Sequence, residues 1–133
     1  MRLIPIIFYL FTGLYSSAQS NEKLYTLTLE NIEGKKYKKA LSNIEKIIKK
    51  DNQEKYILTK VNVLLLLNTP YKEIITFLNQ QITQSPSPSL LIERGSGYQA
   101  IYRFQDAILD YSQAIKNAKE DSTLVKALDC RGS

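Results

Sequence analysis

The chain of 133 residues contains no histidine and no tryptophan, and it has one cysteine and one methionine. Without histidine it lacks the commonest general base near neutral pH and the commonest metal ligand. One cysteine among scattered carboxylates provides no zinc-ligand spacing. Glycine is sparse as well, and Gly95-Ser96-Gly97 lies inside a helical pattern rather than in a phosphate-cradling loop. Asp106 and Asp110 stand four residues apart on one helix face, where a solvated face is expected rather than a catalytic carboxylate pair. These absences argue against an enzyme, a resident metal or cofactor, and a small-molecule substrate. Cys130 cannot close a disulfide within the chain, so packing must hold the fold together. It reads either as a small apolar residue of the last helix or as a thiol that pairs between chains.

Residues 1–20 have the form of a secretory signal peptide. Arg2 supplies a positive start, and Leu3 to Tyr15 is an apolar run of thirteen residues broken only by Pro5, Thr12 and Gly13. Ser16-Ser17-Ala18 or Ala18-Gln19-Ser20 then offers small residues for cleavage. The run falls short of the roughly 20 residues of a membrane span, so membrane contact is expected only through this segment. The expectation is a secreted or periplasmic protein cleaved near Ala18 or Ser20, its mature chain starting at Gln19 or Asn21. Loss of Arg2 lowers the net charge of +5 by one, which favours solubility without choosing a partner.

A repeated apolar stencil fills the remainder. From Phe104, apolar or small residues recur at offsets 3, 4, 7, 10 and 11: Ala107, Ile108, Tyr111, Ala114 and Ile115. Those offsets describe one face of an α-helix. From Tyr37 they give Ala40, Leu41, Ile44, Ile47 and Ile48; from Tyr71 they give Ile74, Ile75, Leu78, Gln81 and Ile82. Thirteen residues before the three anchors stand Leu24, Leu58 and Leu91, and from these, offsets 3, 4 and 7 mark a preceding helix. The anchors lie 34 and then 33 residues apart, a period that predicts stacked helix pairs.

The last of these units, Leu91, Gly95, Tyr98, Phe104, Ala107, Tyr111 and Ala114, resembles the tetratricopeptide repeat (TPR) family in residue type and order. Its glycine and alanines stand where helices approach closely. Pro86 occupies the family's closing-proline position in the second unit, and Asn52 replaces it in the first; Thr28 and Asn62 replace the small residue at the close-approach position. The resemblance implies an all-α fold, a right-handed α-solenoid of stacked antiparallel helix pairs. Its repeats are expected at about 21–54, 55–87 and 88–121, with the first helix of a fourth at 122–133. That last helix lacks a mate, so it serves as a cap or the chain is the N-terminal piece of a longer protein.

Local signals refine this picture. Gly34 suits the end of the first helix. Thr69-Pro70 suits a helix opening, with threonine as cap and proline at the first turn. Ser85-Pro86-Ser87-Pro88 reads as a tight turn between repeats. The run Val61 to Leu67 is apolar nearly all round, from burial on both sides or from lining a ligand groove. Lysines 35, 36, 38, 39, 46, 49 and 50 fall where a solvated face belongs, with Glu45 and Lys49 placed to pair, and no nucleic-acid partner is expected.

In the resembled family the concave surface holds a peptide or another protein's helix. The resemblance places Tyr25, Leu29, Tyr56, Thr59, Val63, Ile92, Ser96 and Gln99 on that surface. The expectation is an exported module that binds a protein or peptide, or alternatively the N-terminal structural or sensory segment of a longer signalling protein.

Overall fold

The computed structural model describes residues 20–118, and every regular element among them is an α-helix. The expected signal segment (Ser20 aside), Cys130 and the expected fourth-repeat helix lie outside the described residues. The helices are α1 (20–33), α2 (Tyr37–Lys50), α3 (Glu54–Leu66), α4 (Tyr71–Gln84), α5 (Pro88–Ala100) and α6 (Phe104–Asn117). The chain divides into two compact units between Leu67 and Asn68, so α1–α3 form one and α4–α6 the other. None of the described helices is long and apolar enough to cross a membrane.

In the first unit, α2 buries Ala40, Ile44 and Ile47, its stencil positions, and turns its lysines to solvent. Ile44 and Ile47 pack on Tyr56 of α3, with Leu24 and Tyr25 of α1 closing the cluster. Thr28 is fully buried at the close-approach position, and its hydroxyl is satisfied by the Leu24 carbonyl of its own helix at 2.8 Å. A β-branched residue is therefore accommodated there without an orphaned polar group. Helix α3 departs from the stencil. Val63 is buried and Leu65 is exposed, the reverse of their expected positions, and Leu66 is exposed beside it. The helix is rotated so that Tyr56, not a stencil residue, meets the α2 core; the run is not buried all round.

In the second unit Leu91 and Ile92 of α5 pack on Ala107, Tyr111 and Ala114 of α6, with Ile82 and Tyr98 at the edge. Gly95 lets the Tyr111 ring lie against the α5 backbone: a Cβ at Gly95 would sit 2.6 Å from Tyr111 Cε1. Helix α4 buries Ile74, Ile75 and Leu78, and Gln81 joins them as the polar member of the stencil. Ser87 caps α5 by accepting the Leu90 amide at 3.2 Å, with Pro88 in the first turn. The Thr69 cap does not form, because Pro70 has ψ 136 and is itself the extended residue before the first turn of α4.

Three of the five turns between the described helices share one backbone device. Lys35, Asn68 and Tyr102 have φ of 61, 59 and 65 degrees, the left-handed region, with spacings close to the sequence period. At the first turn Lys36 N–H bonds the Asn31 carbonyl (2.7 Å) and Lys35 N–H bonds that of Ile32 (3.0 Å). At the third, Arg103 N–H bonds Tyr98 (2.8 Å) and Tyr102 N–H bonds Gln99 (3.1 Å) in the same way. These paired bonds are the Schellman arrangement that satisfies the last carbonyls of a helix. The left-handed residue of the first turn is thus Lys35, one place beyond Gly34, so the glycine ends the helix without supplying the strained angle. Lys35→Gly should remove that strain and raise stability by about 0.5–1 kcal/mol, read as a higher thermal midpoint.

Candidate functional site

Two groups of side chains stand out, one in each unit. In the first, Tyr25 of α1 and Thr59 of α3 meet at 3.0 Å. Thr59 donates its own hydroxyl proton to the Lys55 carbonyl at 2.8 Å, so the Tyr25 phenol is the donor of the pair. The Tyr25 ring stands edge-on to Tyr56, centroids 5.0 Å apart, and the Lys55 ammonium lies 5.3 and 5.0 Å from the two centroids. Lys55 also pairs with Glu22 at 3.6 Å. Desolvation lowers the Lys55 pKa, but Tyr56 and Glu22 outweigh it and leave it raised. One turn on from Tyr25, Leu29 is 46% exposed.

In the second unit the Tyr111 hydroxyl donates to Gln99 Oε1 at 2.8 Å and lies 3.4 Å from Ser96 Oγ. Elsewhere on α5 and α6, Arg94 grips Asp110 with both arms: Nε to Oδ2 at 2.8 Å and Nη2 to Oδ1 at 2.6 Å. Its remaining nitrogen, Nη1, donates to Asn79 Oδ1 at 3.0 Å. The hydrogen bonds and charge of Asp110 hold the guanidinium pKa above its ordinary value, against the effect of burial. Asp110 is buried, at 4% exposure, which corrects the solvated face expected for it; Asp106 is half-buried and pairs with Arg103. The Arg103 and Arg94 guanidiniums lie 4.9 and 5.8 Å from the centre of the Tyr98 ring. Beside these groups opens a cavity of about 670 Å³ whose lining includes Arg94, Tyr98, Asp106, Leu109, Asp110 and Lys116.

The eight residues expected on the partner surface therefore divide. Tyr56, Val63 and Ile92 are buried, at 2%, 0% and 1% exposure, and offer a partner no side-chain surface. Tyr56 and Ile92 belong to the hydrophobic clusters of their units, since each helix needs more core than the stencil alone supplies. Tyr25, Leu29 and Thr59 gather in the first unit, Ser96 and Gln99 in the second. Sequence reasoning missed the Arg94–Asp110 pair. The signal was present: Arg94 occupies an apolar stencil slot, and an arginine there requires an acidic partner. Among the described residues no three histidine, cysteine or carboxylate side chains are grouped to hold a metal.

No family model matches the sequence, and no curated protein matches it. Solved structures do resemble the fold. A crystal structure of PcrH in complex with the chaperone binding region of PopB gives a TM-score of 0.72 at 14% identity, covering 86% of this chain and 94% of that one. The Arabidopsis OM64 TPR domain gives 0.65 at 15%, covering 86% and 96%. At such identities the likeness shows the fold: an all-α solenoid class built of TPR-like helix-pair repeats.

Proposed function

We propose that this chain is an exported protein-interaction module that takes a peptide or a partner's helix on the face carried by its first helices. The observation that carries the reading is the α1/α3 patch. There a solvent-facing Leu29 lies beside a hydrogen-bonded Tyr25–Thr59 pair, an apolar contact next to polar groups that fix orientation. Ser96 and Gln99 offer the second unit's polar contacts on α5. The structure of PcrH, whose fold is similar, holds the chaperone binding region of PopB, which supports a polypeptide ligand. The proposed export rests on the apolar run from Leu3 to Tyr15.

Selection from a displayed random-peptide library, followed by amide-shift mapping of a selected peptide, tests the surface. Shifts should concentrate at Leu29 and Thr59. Leu29→Asp should weaken that peptide about tenfold while the thermal midpoint stays put, because Leu29 lies outside the buried core. Shifts confined to other faces would remove the proposal. N-terminal sequencing of the mature protein should begin at Gln19 or Asn21; an intact Met1 would argue against export.

A further inference from the structure

The exposed side of α2 is more strongly charged than a solvated face requires. At about 100° per residue, Lys38, Lys39, Lys46, Lys49 and Lys50 fall within an arc of roughly 120°. No acid stands inside that arc: Glu45 lies at its edge, with its carboxylate 3.4 Å from Lys60 of α3. Asp51, just past the helix, accepts from Gln53 at 2.7 Å. Glu30 of α1 lines a different hollow, with Glu22 and Lys23. Beside the lysines runs a groove of about 390 Å³ between α1 and α2, lined by Leu27, Asn31, Lys36, Lys39, Ser42 and Asn43.

We infer that the lysine side of α2 and this groove form a second docking surface, for an extended acidic segment of a partner protein. It is separate from the Leu29 patch and does not depend on it. Lysines on one rim meet carboxylates, Asn31, Ser42 and Asn43 offer amide and hydroxyl groups to a peptide backbone, and Leu27, 46% exposed, offers one apolar contact. A helix of 14 residues is about 20 Å long, a span that about six residues of extended chain cover. A membrane surface fits less well. A helix that lies in a bilayer inserts its apolar face, and α2 has already buried Ala40, Ile44 and Ile47 in the core. Nucleic acid also fits less well, since the arc contains no arginine and no aromatic ring on which a base could stack.

The test is a fluorescence-anisotropy titration of the full chain with a labelled Glu-rich peptide of about ten residues at low salt, about 0.05 M, where surface charges are weakly screened. The peptide should bind and should weaken steeply as salt rises. The variant Lys39→Gln/Lys46→Gln/Lys50→Gln should lose about tenfold in affinity, glutamine keeping the helix propensity. A control with the same charge change elsewhere, Lys23→Gln/Lys72→Gln/Lys116→Gln, should bind as the wild type does. Circular dichroism melting confirms that all three proteins are folded. Absence of binding by folded wild type, or an equal loss in the control, overturns the inference. So does equal or tighter binding of anionic lipid vesicles or of a single-stranded oligonucleotide under the same conditions.

Discussion

Arg94→Leu should be the most damaging single substitution in the second unit. It removes both hydrogen bonds to Asp110 and leaves that carboxylate 4% exposed with no cation against it. Breaking one side of a buried ion pair costs about 3–5 kcal/mol, because the surviving charge keeps its desolvation penalty. The guanidinium side is 21% exposed, so some water reaches the pair and the lower end of that range is expected. A loss near 3 kcal/mol would be a large fraction of the about 5–15 kcal/mol that holds a domain together. Arg94→Leu/Asp110→Leu should recover most of the loss, since two apolar groups strand no charge. Urea unfolding of the two variants measures both effects. A cost below about 1 kcal/mol for the single change would mean that the pair behaves like an exposed surface bridge.

Gly95→Leu should destabilise by about 1–3 kcal/mol through overpacking. Two effects oppose each other here. Replacing a mid-helix glycine gains about 0.8–1 kcal/mol of helix propensity. Against it, even the first carbon of the new side chain would lie 2.6 Å from Tyr111 Cε1 and 2.9 Å from Cδ1, closer than real contacts allow. Tyr111 is packed by Leu91, Ile92 and Ala107 and is tied to Gln99, so the ring has little room to retreat. The contact term wins. Gly95→Ala tests the balance with the smallest possible insertion, and Gly95→Ala/Tyr111→Leu should recover part of its loss, since that pair relieves the clash. An unchanged melting temperature in Gly95→Leu would contradict the close approach of α5 and α6.

The all-α class and the pairing of helices were legible because a helix face repeats every three to four residues and the spacing of thirteen recurred three times. In α2 and in much of α6 the stencil names the buried residues, and Gly95 marks the close approach. The proposed partner surface is less legible. Position within the resembled pattern puts Tyr56, Val63 and Ile92 on it, yet position along a helix does not set its rotation. That rotation is decided by what the neighbouring helices present, as the inverted exposure of Val63 and Leu65 shows. Asn62, at the expected close-approach position of α3, is accordingly exposed.

By itself the sequence determined the local order of this protein: where helices run, which pairs are adjacent, and that glycine and alanine line the third pair. Such information is encoded in neighbours a few residues apart, where periodicity and backbone sterics act directly. Only the tertiary structure decided that Arg94 closes on Asp110, that Lys60 rather than Lys49 takes Glu45, and that Tyr25 donates to Thr59. Those contacts join residues 15 to 34 positions apart. Their partners are chosen by packing angle and desolvation, which no local pattern records.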